Sequence, residues 1–267
     1  MKLFITIIVS LLSLDLMAQA VTTGIPNILR NGTLINGTLR NGSSTSPGAL
    51  ATNALVGYWK MDEASGNCAD SSGHGWTGVP TSGMSYAQSG VIGTSINGNG
   101  SRIATTYSGA ANPNFSVSFW VKGTDAGNGS YLLSDHNLTP NTGWAFVNRS
   151  GGGMAFVLTQ ASGGNTTYTI DSTPMLFNSQ WNNVVLVVSN TYSFFIYTNG
   201  VIATTFSNLN RSLATSDNLF LLGDYGYVNG FSVAYANGTL DEIGYWATNL
   251  TPAQIQYLAA TNPFSKF

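Results

Sequence analysis

From Leu55 onward the apolar residues come in short runs, many alternating with small or polar positions, and Gly, Asn, Asp, Ser and Pro separate the runs. The pattern predicts strands over 55–62 and around 91–96, 101–106, 115–122, 131–134, 144–148 and 154–160. Further strands are predicted around 168–170, 181–189, 192–198, 201–206, 218–222 and 232–235. In the first of these, Leu55, Gly57, Trp59 and Met61 share one face, and Val56, Tyr58, Lys60 and Asp62 the other. Asn199-Gly200 between two β-rich runs is a strong hairpin signal. The stretch 64–78, Ala-Ser-Gly-Asn-Cys-Ala-Asp-Ser-Ser-Gly-His-Gly-Trp-Thr-Gly, reads as a glycine-punctuated loop.

The pattern changes near the C-terminus. Leu240–Trp246 reads as one more strand, opened by Asp241 and Glu242 side by side. Thr251 then supplies an N-cap hydroxyl, Pro252 suits the first helical position, and Gln254 completes a capping box. Leu250 and Ile255 occupy staple positions, and Ile255, Leu258 and Ala259 form one apolar face. About a dozen short strands with one short helix imply an all-β, two-sheet antiparallel sandwich.

Residues ahead of the domain follow other rules. Met1–Ala20 has a lysine at position 2, an apolar core from Leu3 to Met17, and small residues at Ala18 and Ala20, which together read as a secretory signal peptide. Its core is too short for a membrane span, and no other long apolar run occurs. Residues 21–50 carry a five-residue repeat, Leu29-Arg-Asn-Gly-Thr, Leu34-Ile-Asn-Gly-Thr and Leu39-Arg-Asn-Gly-Ser. One leucine per unit cannot build a core, so the segment is expected to be a flexible linker, with an adhesive or assembly element as the alternative.

Composition narrows the function. Charged residues make up 7% of the chain and the net charge is −2, which disfavours nucleic acid and anionic membranes as partners. Asn, Ser, Thr and Gly must supply the solvated surface, and glycosylation sequons at Asn31, Asn36, Asn114, Asn137 and Asn237 arise readily by chance in such a chain. Cys68 is the only cysteine, so no intramolecular disulfide forms.

After the signal peptide the carboxylates are Asp62, Glu63, Asp70, Asp125, Asp135, Asp171, Asp217, Asp224, Asp241 and Glu242. Glycoside hydrolysis needs two carboxylates facing one cleft about 5 to 10 Å apart. Regular strand geometry sends the neighbours Asp241 and Glu242, like Asp62 and Glu63, to opposite faces, so neither pair meets that need. His74 and His136 stand alone, without a recognisable nucleophile motif.

The ordered set Leu55-Val-Gly-Tyr-Trp-Lys-Met-Asp-Glu-Ala-Ser-Gly, Ala69-Asp-Ser-Ser-Gly-His-Gly, Phe115-Ser-Val-Ser-Phe-Trp-Val-Lys, Gln180-Trp-Asn-Asn-Val-Val, Ile196-Tyr-Thr-Asn-Gly and Gly238-Thr-Leu-Asp-Glu-Ile resembles the successive motifs of laminin G-like, concanavalin A-like jelly rolls. The resemblance runs from about Leu55 to Leu258. It implies a jelly-roll sandwich, typically secreted or surface-exposed, that binds carbohydrate or protein and frequently holds calcium. It also implies that the first and penultimate strands lie close, bringing Asp62 and Asp241 to one edge as ligands for a structural Ca2+, completed by carbonyls of glycine-rich loops. Trp59, Trp120, Trp181 and Trp246 lie within strand patterns and read as core. Trp144 with Asp135, and Asp224 with Tyr225 in a glycine-framed loop, are the candidate ligand-binding residues.

The expected function is therefore a secreted or surface-exposed, non-catalytic module for carbohydrate or another extracellular ligand. An adhesion component of a surface or virion appendage is the second expectation. A polysaccharide hydrolase or lyase is the third.

Overall fold

The computed structural model describes residues 34–35, 38–39, 50, 52–108, 112–123, 131–138, 141–149, 153–159, 166–170, 179–189, 193–207, 219–222 and 238–260. The chain divides into two units, Met1–Pro47 and Gly48–Phe267. In the first, strand β1 (Leu34–Ile35) pairs antiparallel with β2 (Thr38–Leu39), Leu34 opposite Leu39. The signal peptide lies outside the described residues, as does most of the repeat segment.

The second unit is the expected sandwich. A 3-10 turn (Thr52–Ala54) leads into β3 (Leu55–Trp59), β4 (Gly78–Pro80), β5 (Ser85–Ser89), β6 (Thr94–Asn97) and β7 (Ile103–Thr105). Then follow β8 (Phe115–Lys122), β9 (Tyr131–Leu138), β10 (Asn141–Arg149), β11 (Gly153–Thr159) and β12 (Thr166–Ile170). The chain closes with β13 (Asn182–Ser189), β14 (Ser193–Thr198), β15 (Val201–Phe206), β16 (Leu219–Leu222), β17 (Thr239–Trp246) and helix α1 (Pro252–Ala259). One sheet has seven strands in the order β12-β11-β10-β9-β16-β7-β4. The other has eight, β15-β14-β13-β8-β17-β6-β5, with β3 also paired to β17.

Alternation builds the core. Phe115, Val117, Phe119 and Val121 of β8 point inward, as do Val184, Leu186 and Val188 of β13. Rings meet between the sheets: Phe115 with Trp144 (centroids 6.0 Å apart), Phe119 with Phe146 (5.2 Å) and Phe156 with Phe194 (4.8 Å). Helix α1 covers part of the outer face of the eight-stranded sheet, where Ile255 and Leu258 join Leu55, Tyr58, Val185, Val187 and Trp246. The capping box forms: Gln254 N donates to Thr251 Oγ1 (3.3 Å) and Thr251 N donates to Gln254 Oε1 (2.9 Å). On the seven-stranded sheet the outer face is buried too, in a cluster of Tyr131, Ala145, Val147, Ala155 and Val157.

Two expectations need correction. β3 does not alternate throughout, because a bulge skips Val56 between the pairs Tyr245 with Gly57 and Trp246 with Leu55, turning Leu55 toward the helix side. The strand predicted over 131–134 runs on through Asp135-His-Asn to Leu138, because this polar stretch pairs its backbone with β10 whatever its side chains.

Asp70 fixes the glycine-rich loop to β3. Its Oδ1 accepts from Tyr58 N (3.0 Å) and Ser72 N (2.8 Å), and its Oδ2 from Ser72 Oγ (2.9 Å) and Trp76 N (3.1 Å). Burial alone would raise its pKa, but these donors together outweigh burial and hold it below the ordinary value. A lowered carboxyl pKa stabilises the fold above the unfolded-state value, and that stabilisation is lost as pH falls through the folded one. Asp70→Ala is expected to cost on the order of 1–2 kcal/mol near neutrality. In urea melts against pH, the gap between wild type and variant should close in acid.

Candidate functional site

The chemistry-bearing residues gather where β17 changes neighbours. β8 flanks β17 on one side, while on the other side β6 pairs with Thr239 and Leu240, and β3 with Ile243 to Trp246. Asp241 and Glu242 sit in the gap between the two partners. Asp241 lies opposite Trp120 and Gly244 opposite Ser118, so β17 carries one extra residue here, with Glu242 at φ 51°. The bulge allows Leu240 and Ile243 both to face the core. It also brings Asp241 and Glu242 together on the outer side, correcting the expectation that adjacency separates them. Glu242 Oε2 accepts from the hydroxyl of Tyr58, a residue of the helix-covered face.

The loop between β5 and β6 closes the gap. Val91 N and Ile92 N donate to Asp241 Oδ2 at 2.7 and 3.2 Å. Thr94 N donates to Asp62 Oδ1 at 2.7 Å. The sequence-predicted pair Asp62 and Asp241 is therefore brought to one loop, as the resemblance implied. Glycines make the approach possible. A Cβ on Gly90 would lie 2.5 Å from the Thr94 carbonyl oxygen and 2.8 Å from both Asp241 Oδ2 and the Ile92 carbonyl oxygen. A Cβ on Gly93, itself at φ 61°, would lie 2.4 Å from Asp62 Oδ1.

Electrostatically the junction is short of positive charge. Burial, then Glu242 and Asp62, push the Asp241 carboxyl up to about 8, against the pull of the Ile92 and Val91 amides. Burial and Asp62 push Glu242 up to about 7, although the Tyr58 hydroxyl and Lys60 pull it down. Asp241 Oδ1 is buried with no hydrogen-bond partner among the described residues. Three oxygens thus converge beside Gly90, next to an orphaned carboxylate oxygen. This all-oxygen donor set fits a hard cation such as Ca2+. Among the described residues no set of three or more His, Cys, Asp and Glu side chains is placed to hold a metal, so the carbonyls would have to complete the coordination. Asp241 is 0% and Glu242 1% exposed, which denies any substrate access to this acid pair.

The other sequence-predicted residues go elsewhere. Trp144 is fully buried between the sheets, among Phe115, Phe146 and Phe156, and presents no face to a ligand. Asp135 is its register partner on β9 and is equally buried. It lies near enough to Tyr245 to help raise the pKa of that hydroxyl, behind burial and Tyr107. Alternation on paired strands gives both residues to the core, correcting the surface roles expected for them. Asp224 and Tyr225 lie outside the described residues.

Two antiparallel sheets, a helix packed on one outer face and an acidic junction at the first and last strands of the domain define a lectin-type jelly roll. A family model for the concanavalin A-like lectin/glucanases superfamily matches residues 97–256, and the chain belongs to this family. Solved structures share the fold. Domain 4 of AbnA, a GH43 extracellular arabinanase from Geobacillus stearothermophilus, solved in complex with arabinotriose, aligns with TM-score 0.58 and 21% identity, over 77% of this chain and 98% of that one. The botulinum neurotoxin serotype D ligand binding domain, in complex with N-acetylneuraminic acid, aligns with TM-score 0.61 and 14% identity, over 80% of this chain and 52% of that one. The binding domain of Paraclostridial Mosquitocidal Protein 1 aligns with TM-score 0.58 and 15% identity, over 78% and 52%. This chain therefore spans about half the length of the two toxin domains. No curated protein matches the chain in sequence. Among the described residues no helix is long and apolar enough to cross a membrane.

Proposed function

We propose that the chain is a secreted or surface-exposed, non-catalytic binding module for carbohydrate or another extracellular ligand, with a structural calcium ion. The observation that carries the non-catalytic reading is the burial of the Asp241–Glu242 pair, whose oxygens serve loop amides and the Tyr58 hydroxyl rather than a cleft. Carbohydrate is the ligand class favoured by relatives of this fold solved with arabinotriose and with N-acetylneuraminic acid. A glycan array read in calcium and again in chelator tests the reading, and a blank array in both conditions overturns it. An adhesive role is the second reading. It rests on the antiparallel hairpin that the unit Leu34-Ile-Asn-Gly-Thr forms with the first residue of the next unit through β1 and β2, and self-association dependent on residues 21–50 would mark it.

Asp62 and Asp241, with the Ile92 and Thr94 carbonyls, would hold the calcium, and the ion would neutralise the excess charge where β17 changes partners. Calcium at about a hundredfold above its Kd contributes about 2.7 kcal/mol, so chelation is expected to lower the melting temperature by about 5–10 °C. Asp241→Asn should abolish that response and, in chelator, should be no less stable than wild type, because the Asp241 carboxyl, pushed up to about 8, is largely uncharged at neutral pH without the ion and the amide keeps its shape. A melting temperature indifferent to chelator refutes the site.

A further inference from the structure

The outer face of the eight-stranded sheet has two halves of different character. One is apolar and covered by α1. On the other, alternation places Trp120 and Lys122 of β8 beside Asn183 of β13 and Thr239 of β17, with the register pairs Asn183–Trp120 and Thr239–Lys122. Trp181 stands just ahead of β13, half-buried, with Lys122 Nζ 5.0 Å from its ring centroid. Neither Trp120 nor Trp181 belongs to a hydrophobic cluster, unlike Trp59 and Trp246. Of the four tryptophans expected in the core, Trp59, Trp120 and Trp246 are buried, Trp120 outside those clusters, and Trp181 alone is not.

The neighbouring register pair, Asn183–Trp120, carries two unsatisfied atoms of opposite character. Trp120 Nε1, a donor, and Asn183 Oδ1, an acceptor, are buried without hydrogen-bond partners among the described residues, on side chains 6% and 0% exposed. Asn183 cannot turn to relieve this. Its Nδ2 donates to Ser118 Oγ (3.1 Å) and to the Phe119 carbonyl (3.4 Å), and its backbone N donates to Asn199 Oδ1 (2.9 Å). A rigid donor and acceptor on facing residues suit one hydroxyl group, which accepts from the indole and donates to the amide. The ring of Trp181 supplies the apolar face on which a sugar's C–H surface packs. The Lys122 ammonium need not block that ring, since its four-carbon stem lets it move away. An indole N–H, an amide oxygen and a ring face match the hydroxyls and C–H surface of a neutral saccharide, and none of them calls for a carboxylate.

We propose that Trp181, Lys122, Trp120 and Asn183 form a subsite for a neutral saccharide. The proposal deepens the carbohydrate reading above and rests on it. The test is an array of neutral and acidic saccharides probed with the full chain as wild type, Trp181→Ala, Trp120→Phe and, as a control on the exposed β15, Val201→Ser, each with its melting temperature measured. Expected is binding of neutral saccharides that falls about tenfold in Trp181→Ala and severalfold in Trp120→Phe, with Val201→Ser unchanged. Trp120→Phe keeps the aromatic bulk and removes only the donor, so it carries the test if Trp181→Ala fails to fold. Binding indifferent to both tryptophan variants overturns the subsite and leaves the module reading standing. Binding of acidic saccharides alone overturns the ligand class. Absence of any binding overturns both readings together.

Discussion

Trp144→Ala is expected to remove about 3–5 kcal/mol of stability and to leave saccharide affinity unchanged wherever the variant is folded. Trp144 comes from the middle of β10, which is paired on both sides, by β9 and β11, so the backbone around it has little freedom to collapse into a vacated space. Its ring touches both layers of the sandwich: Phe115 of β8 at 6.0 Å, and Phe146 and Phe156 of its own sheet at 6.1 and 6.2 Å. Alanine would leave a cavity lined by rigid aromatic rings, the situation in which the cavity adds most to the lost transfer free energy. Trp144→Phe should cost much less, because it keeps most of the ring and removes a buried Nε1–H that has no partner among the described residues. Urea melts and the glycan array check the two halves of the expectation. Lost sugar affinity in a variant of unchanged stability would return Trp144 to the ligand-contact role that its sequence context suggested.

How far the sequence could be read follows from which features are local. The helix cap was legible because Thr251, Pro252 and Gln254 form their contacts within one turn. So was the hairpin at Asn199-Gly200, where both residues adopt the positive φ that this pair tolerates, 50° and 78°. The β8 sequence Phe115-Ser-Val-Ser-Phe alternates cleanly because one face meets the core along the whole strand. By contrast, the grouping of Asp241 with Glu242 depends on β17 exchanging β6 for β3, a pairing with residues more than 140 positions away, and period-two reasoning assumes no such bulge. Asp62 and Asp241 were paired only through the family resemblance. β4 and β5 escaped notice because they are short, largely solvent-facing edge strands, β4 ending in Pro80. Trp181 was assigned to the core because an aromatic residue at a strand start looks the same whether it points inward or over an edge. Only the burial of its neighbours separates the two cases.

Gly57→Ala and Gly244→Ala are each expected to destabilise the domain by about 3 kcal/mol, although a Gly→Ala change at a permissive position stabilises by about 0.4–1 kcal/mol. Neither glycine has a positive φ, so backbone strain does not enter. The obstacle is the indole two residues on, which shares the glycine's face of the strand and lies across it. A Cβ on Gly57 would sit 2.3 Å from the Trp59 ring, and one on Gly244 the same distance from that of Trp246. Both tryptophans are fully buried, and on paired strands β3 and β17 they point to opposite faces: Trp59 into the core, Trp246 into the cluster with α1. The consequences should therefore differ. Moving Trp59 breaks its Nε1 bond to the Trp76 carbonyl (2.7 Å) and loosens the glycine-rich loop, whereas moving Trp246 lifts the helix. Hydrogen exchange should show loss of protection in the loop for Gly57→Ala and at α1 for Gly244→Ala. Because each clash involves a single ring, Gly244→Ala combined with Trp246→Leu should cost clearly less than the sum of the two changes. Strict additivity would mean that the glycine is required for a reason other than the ring above it.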